Sequence, residues 1–295
     1  MVSRESVNEV FLPDKEDCLE YLREQRWPEG VTCPHCESAD TIKKGTTRKG
    51  AQRYRCQDCE SIFNDLTATV FAEHQLTIPE MFHIIRGMEE HTTNEIFQEL
   101  TRTYKTVLDF VHEVQDALEE DSKFDLSGVC EADEVYVVAG EKGLEDEEGS
   151  PRSRGLFKKG RGTFESDKPP VVTLVRRSDG RVRFLVRDDL EGVDEDIAEY
   201  GDETVILCTD QYSIYDGIDE YDEIDGHLAI NHDEHYVVGD AHTNSCENRH
   251  SFLRNWLRRF RGVSKHHLQG YLNFLGWILN SDNWFEQILS TDFYR

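Results

Sequence analysis

The sequence predicts an α/β protein: a mixed sheet flanked by helices, preceded by a small four-cysteine unit and a helical segment. Three observations predict it. Two CxxC pairs, Cys33 with Cys36 and Cys56 with Cys59, stand 19 residues apart near the N-terminus. Between residues 77 and 121 apolar side chains recur at helical spacing. From Gly128 onward, short runs rich in β-branched residues take over, and two helices close the chain. These shifts of pattern divide it into a helical lead-in at 1–30, the cysteine unit at 31–70, the helical segment at 71–125 and the α/β domain at 126–295.

Taken in order, residues 14–25 place Cys18, Leu19 and Leu22 on one helical face, ending at Arg26-Trp27-Pro28. Each CxxC is a knuckle whose two thiolates can bind one ion, and the spacing of the pairs suits a tetrahedral four-thiolate Zn²⁺ site. So small a unit needs the metal to fold. Lys43, Lys44, Arg48, Lys49, Arg53 and Arg55 lie between the pairs and make the clearest basic segment of the chain. Thr77 with Glu80 reads as a capping box, followed by Met81, Ile84, Ile85 and Met88 on one face. Ile96, Leu100, Val107, Phe110, Val111, Val114 and Leu118 continue the pattern. The polar break at Thr101–Thr103 suits a helix-turn-helix, although a plain helical linker fits as well.

In the α/β domain, Val135–Val138, Val171–Val175 and Val182–Val186 read as strands. The last two are joined by an Arg177-Ser178-Asp179-Gly180 hairpin turn. A helix at Asp194–Tyr200 leads into the apolar strand Thr204–Asp210. Residues 140–169, rich in Gly, Glu, Lys and Arg without periodicity, read as a flexible insertion. Helices are expected at Ser245–Arg261 and Lys265–Asn280.

With 37% hydrophobic and 32% charged residues the 295-residue chain can pack a core. No apolar run approaches the ~20 residues that span a bilayer, and the N-terminus lacks a signal-like stretch. A soluble cytoplasmic protein with no membrane partner is the expectation. Single cysteines beside two CxxC pairs fit a reducing compartment and exclude a disulfide framework. The net charge is −27, from 60 acidic against 33 basic residues, and arginines outnumber lysines 22 to 11. Taken alone, this charge argues against nucleic acid. Acid spread over every segment also fits a halophilic proteome, where molar salt screens like charges beyond about 3 Å.

Carboxylates mark candidate chemistry. Asp133 and Glu134 open one strand, Asp210 ends another, and Glu247 begins a helix. Three carboxylates on two strands and a helix are how RNase H-like nucleases gather two Mg²⁺ ions for in-line phosphoryl displacement. Asp133 and Glu134 compete for the first position. Strand alternation puts them on opposite faces, so only one is expected to point into the site, while Glu131 shares the face of Asp133. Arg254, two helical turns beyond Glu247, could meet a phosphate there, and Arg254, Arg258 and Arg261 form a basic stripe. Phe252, Trp256 and Phe260, with Leu253 and Leu257, supply the apolar surface of that helix.

These residues carry a resemblance. Arg26-Trp27-Pro28-Glu29-Gly30-Val31-Thr32-Cys33-Pro34-His35-Cys36, then Tyr54-Arg55-Cys56-Gln57-Asp58-Cys59, resemble the zinc-ribbon head of ISXO-like insertion-sequence transposases. Asp133-Glu134, Thr209-Asp210, Asn231-His232, and His242-Thr243-Asn244 with Glu247 are similar to that family's catalytic blocks. The sequence departs from the pattern at Arg249-His250, where the family has an aromatic pair, and at Arg254, where it has a lysine.

The resemblance implies an RNase H-like catalytic domain and a DDE transposase. Asp133, Asp210 and Glu247, with Asn244 as the alternative third ligand, would hold catalytic Mg²⁺ or Mn²⁺. Arg254 would act beside them, and His232 and His242 would stand behind the ligands or against DNA. Structural Zn²⁺ would sit on Cys33, Cys36, Cys56 and Cys59. The expected reaction is 3′-end cleavage and strand transfer on double-stranded DNA, at terminal inverted repeats and target, by a homo-oligomer. The alternative is a catalytically inactive zinc-ribbon DNA-binding regulator descended from a transposase.

Overall fold

In the computed structural model, which describes residues 11–120, 124–141, 160–202, 204–230 and 243–293, the chain divides into two units. One comprises Met1–Asp121 with Ser281–Arg295, the other Ser122–Asn280. The expected α/β domain running to residue 295 thus gives up its last segment, for a reason visible in the packing below.

The first unit begins with α1 (Lys15–Arg26), whose N-cap Asp14 accepts from the backbone N–H of Glu16 at 2.8 Å and carries acid in its first turn. Its buried face is Cys18, Leu19 and Leu22, as the spacing predicts. The cysteine unit is an antiparallel meander of β1 (Thr41–Thr46), β2 (Gln52–Cys56) and β3 (Ile62–Asn64). Its small core stacks Tyr54 on Phe63, centroids 5.2 Å apart, against Trp27. Asp65, fully buried, anchors this core by accepting from Tyr54 Oη at 3.2 Å and Gln52 N at 2.6 Å and by pairing with Arg23.

Helices α2 (Ile78–Glu90), α3 (Thr93–Glu99) and α4 (Tyr104–Glu120) follow. The Thr77–Glu80 capping box forms, and a second at Thr92–Glu95 opens α3. Gly87 lets α3 close on α2, since a Cβ there would meet Ile96 at 3.0 Å. Leu100–Thr103 joins α3 to α4.

The second unit is built on a five-stranded mixed sheet of β4 (Val129–Tyr136), β5 (Pro170–Arg176), β6 (Val182–Val186), β7 (Val205–Asp210) and β8 (Ile224–Ile230). Its order is β6-β5-β4-β7-β8, antiparallel from β6 to β4 and parallel from β4 to β8, which is the RNase H-like arrangement. Gly180, at φ 72°, makes the β5–β6 turn with Asp179, as expected. Strand alternation sorts the core into two layers. Val135, Val171, Val175 and Phe184 face α6 (Asn244–Arg258) and α7 (Leu268–Asn280). Ala132, Val172, Leu174 and Leu207 face α5 (Val193–Ala198) and Tyr215.

Helix α6 stops at Arg258, so Arg261 lies beyond it at φ 52° and the expected three-arginine helical stripe is cut to two. Phe252 is exposed rather than part of the helix's apolar seat, which Leu253 fills with Trp256, Leu257 and Phe260 beside it. A third closing helix, α8 (Trp284–Ser290), packs on the first unit. There Phe285 meets Phe82 edge-on at 5.6 Å, Glu286 accepts from Tyr21 Oη at 2.8 Å, and Asp292 pairs with buried Arg26. Those contacts place the last segment in the first unit. Of the expected insertion at 140–169, residues 142–159 lie outside the described residues; at its ends Gly140 bridges to Ser264. Among the described residues no helix is long and apolar enough to cross a membrane.

Candidate functional site

Strands β4 and β7 run parallel and are paired only from Val129 to Glu131 against Ile206 to Cys208. Past that point, Asp133 and Glu134 on β4 and Asp210 at the end of β7 bring carboxylate oxygens within 4.8 Å of one another. This corrects the expectation that only one of Asp133 and Glu134 points into the site. They do leave the strand on opposite faces, but the pairing of β4 with β7 has ended. The longer Glu134 side chain approaches the same point, with Tyr215 Oη donating to its Oε2 at 3.3 Å. Tyr215 is itself fully buried.

Electrostatics follows from this crowding. Burial pushes the Asp133 carboxyl up to about 7, and the negative charges of Glu134, Asp210 and Glu247 add to it. Glu134 is raised too, by burial first and then by Asp210. Asn244 and Glu247 are exposed on the first turn of α6, with Glu247 near enough for its charge to reach Asp133. Arg254 and Arg258 are exposed further along the same helix, and Arg261 is exposed after it. His232 and His242, and with them Asn231, lie outside the described residues.

Sequence reasoning placed Glu131 on the face of Asp133 without giving it a role, and it missed His250. Glu131, fully buried, ion-pairs with Arg177 at 2.6 Å and accepts from the backbone of Ser245 and Cys246 at the start of α6. Its place two residues before Asp133 on the same strand face was the available signal. His250, noted only as a departure from the family, is buried with Nε2 3.0 Å from Thr173 Oγ1 and Nδ1 3.7 Å from Asp133 Oδ2. Burial, then the charge of Arg254, lowers it to about 4, so the ring is neutral at ordinary pH. Cys246, beside Glu247, is buried and packs against the Thr173 carbonyl.

In the first unit, Cys33, Cys36, Cys56 and Cys59 converge, with Sγ pairs Cys33–Cys59 and Cys36–Cys56 each 3.6 Å apart. Hydrogen bonds from Ser61, its hydroxyl first and then its backbone, lower the Cys59 thiol to about 6, while burial raises Cys33 and hydrogen bonds among the clustered thiols raise Cys36. Lys43, Lys44, Arg48 and Arg53 are exposed on the meander. Arg55 is half-buried and paired with Glu60 at 3.2 Å. Lys49 turns inward to the carbonyls of His74 and Leu76 and leaves the exposed basic set.

An RNase H-like sheet with converging strand-end carboxylates, joined in one chain to a four-cysteine ribbon, defines a protein of the polynucleotidyl transferase class. Residues 125–280 match the ISXO2-like transposase domain, and residues 13–61 match the transposase zinc-ribbon domain. The chain belongs to the ISXO2-like transposase family. An uncharacterized protein in transposable element ISH50 of Halobacterium salinarum is 36% identical over 266 residues, 85% of this chain and 86% of that protein. Insertion element iso-IS1N protein InsA of Shigella dysenteriae is 42% identical over 33 residues, 11% of this chain and 37% of that protein. A solved pre-cleavage Mos1 transpososome aligns with 97% of this chain and 99% of its own, at 11% identity and a TM-score of 0.23.

Proposed function

We propose that the protein is a DNA transposase that cleaves the 3′ ends of an insertion sequence and joins them to target DNA, using divalent cations. One observation carries the reading: the oxygens of Asp133, Glu134 and Asp210 converge within 4.8 Å at the open ends of two RNase H-like strands. Carboxylates held so close repel one another unless a proton or a cation intervenes, and this repulsion adds to burial, the larger cause, in raising Asp133 to about 7. The donors are all hard oxygens, and so the set fits Mg²⁺ or Mn²⁺. Asp133 and Asp210 would be ligands, Glu134 a further carboxylate beside them, and Glu247 (or Asn244) the ligand from α6. Cations bound there would offset phosphate charge and make an attacking water or 3′-hydroxyl more acidic.

The chain's own residues orient the rest. Tyr215 holds Glu134, and His250, neutral and bonded to Thr173, closes the protein side of Asp133. Arg254 is exposed on α6, where it can meet a phosphate with a planar pair of donors. No Ser or Tyr nucleophile is needed, because the attacking oxygen comes from water or DNA.

The four cysteines fit structural Zn²⁺, and the ribbon with α2–α4 would read the terminal inverted repeats. Exposed Lys43, Lys44, Arg48 and Arg53 would contact phosphates. Two ends must be brought together, so a homo-oligomer is expected. The working compartment is proposed to be a salt-rich cytoplasm, in keeping with a charge of −27.

The test is a strand-transfer assay in molar KCl with Mg²⁺ or Mn²⁺, on DNA carrying the gene's flanking ends. Joined products from the wild type and none from Asp133→Asn support the reading. DNA binding without cleavage by the wild type would replace it with the regulator.

A further inference from the structure

Helix α6 lacks a side-chain cap of its own: Thr243, at its N-cap, makes no such bond. The first-turn N–H groups of a helix need acceptors. Here they find one in another element. Glu131, on β4 and fully buried, accepts from Ser245 N at 2.8 Å, Cys246 N at 3.2 Å and Ser245 Oγ at 2.9 Å. Arg177, from the β5–β6 turn, donates to the same carboxylate through Nε at 2.6 Å. From that turn Arg249 of α6 is held as well, through the Gly180 carbonyl at 2.5 Å.

We propose that Glu131 is a positioning residue that fixes the start of α6, and with it Glu247, the proposed ligand from that helix, relative to Asp133. The inference rests on the reading of the acidic cluster as a metal centre. Glu131 and Asp133 point from one face of one strand, about 6.6 Å apart at about 3.3 Å per residue. The N–H groups that Glu131 grips belong to the two residues before Glu247, which is about 3 Å farther along the helix axis. One stretch of β4 therefore carries a metal ligand and the anchor that sets the helix carrying another. A carboxylate is suited to this place because it answers both the helix N-terminus and Arg177. A Gln would keep the shape, lose the charge and turn N–H donors toward N–H donors.

The test titrates Mn²⁺ into the full-length, zinc-loaded protein in molar KCl, followed by calorimetry, with folding checked by thermal melting. The expected results are loss of the site in Asp133→Asn and about tenfold weaker Mn²⁺ binding in Glu131→Gln, within the about 10–100-fold range for groups behind a metal ligand. The double variant Glu131→Gln/Glu247→Gln should bind no more weakly than Glu247→Gln alone, because both act through one ligand. A role confined to stability would lower the melting temperature and leave the Mn²⁺ affinity of the folded protein unchanged. Wild-type affinity in Glu131→Gln, or losses that multiply in the double variant, overturns the proposal and leaves the metal centre standing. Wild-type binding by Asp133→Asn overturns both. Should Glu131→Gln fail to fold, Ser245→Ala decides: about fivefold weaker binding supports the anchor, and unchanged binding overturns it.

Discussion

At the scale of single residues, the acidic cluster poses a choice between neighbours that the geometry removes. Asp133 and Glu134 both reach Asp210, so both are expected to matter to the reaction. Asp133→Asn should lower cleavage by more than the about 10–100-fold that loss of a group behind a metal ligand costs. Glu134→Gln should cost about tenfold, at the lower end of that range, and should leave DNA affinity unchanged. Single-turnover cleavage and fluorescence anisotropy on one DNA measure both; full activity in Glu134→Gln would remove it from the site. The residue types of this cluster were legible in the sequence because costly carboxylates on apolar strands need a reason. Convergence of Glu134 was not, since alternation says nothing of where two strands part. Nor was the burial of His250, which depends on α6 lying over Thr173 of β5.

At the scale of elements, local chemistry explains much of the first unit. The capping box at Thr77 and Glu80 forms as its spacing predicts, and the same Glu80 carboxylate takes both Arg102 donors, at 2.7 and 2.9 Å. Burial by itself would raise this carboxyl; the Arg102 and Thr77 hydrogen bonds outweigh it and hold the group below its ordinary 4.5. A lowered folded value means that the stabilisation is fully present above about 4.5 and is lost as pH falls through the lower folded value. Glu80→Gln should therefore cost the first unit about 2 kcal/mol at neutral pH, and the difference from wild type should shrink in acid. Urea denaturation at pH 7 and pH 3 measures it, and an equal gap at both would refute the linkage. The Arg102 partner was not legible, because it lies across a turn whose direction the pattern left open.

The cysteine unit makes the second prediction at this scale. Its buried apolar core is Cys33, Tyr54, Cys56 and Phe63, too little to hold three short strands alone. Zinc binding is worth about 10–16 kcal/mol in such small units. Chelation, or Cys36→Ser, should release one zinc per chain and unfold the meander, while the second unit keeps its own melting transition. Atomic absorption and calorimetry follow the two events. A meander whose amide protection survives chelation would show that Asp65 and its partners suffice without metal. Here the sequence already named the four cysteines that converge, since two CxxC pairs at fixed spacing admit few other uses. It was silent on Asp65, an acid like many others until Tyr54, Gln52 and Arg23 close on it.

For the molecule as a whole, charge decides the conditions in which it folds and works. A net charge of −27 opposes compaction, because like charges are brought closer in the native state than in the extended chain. At 0.1 M salt the screening length is about 10 Å and most carboxylates feel several neighbours; at 1 M it is about 3 Å and most feel none. Stability should therefore rise with KCl. For units of this size about 1 kcal/mol moves the melting temperature by roughly 2–4 °C, so relief of 2–3 kcal/mol predicts a rise of about 5–10 °C between 0.1 and 2 M KCl. Catalysis should follow the same direction, since cations screen the approach of DNA to an acidic surface. An ordinary basic DNA-binding protein would instead lose affinity steeply over that range. Differential scanning calorimetry and anisotropy titrations across the KCl series separate the two cases. A melting temperature that is flat or falling with KCl would mean the acidic residues are balanced by local pairs, such as Arg187 with Asp196 or Arg177 with Glu131, rather than by salt.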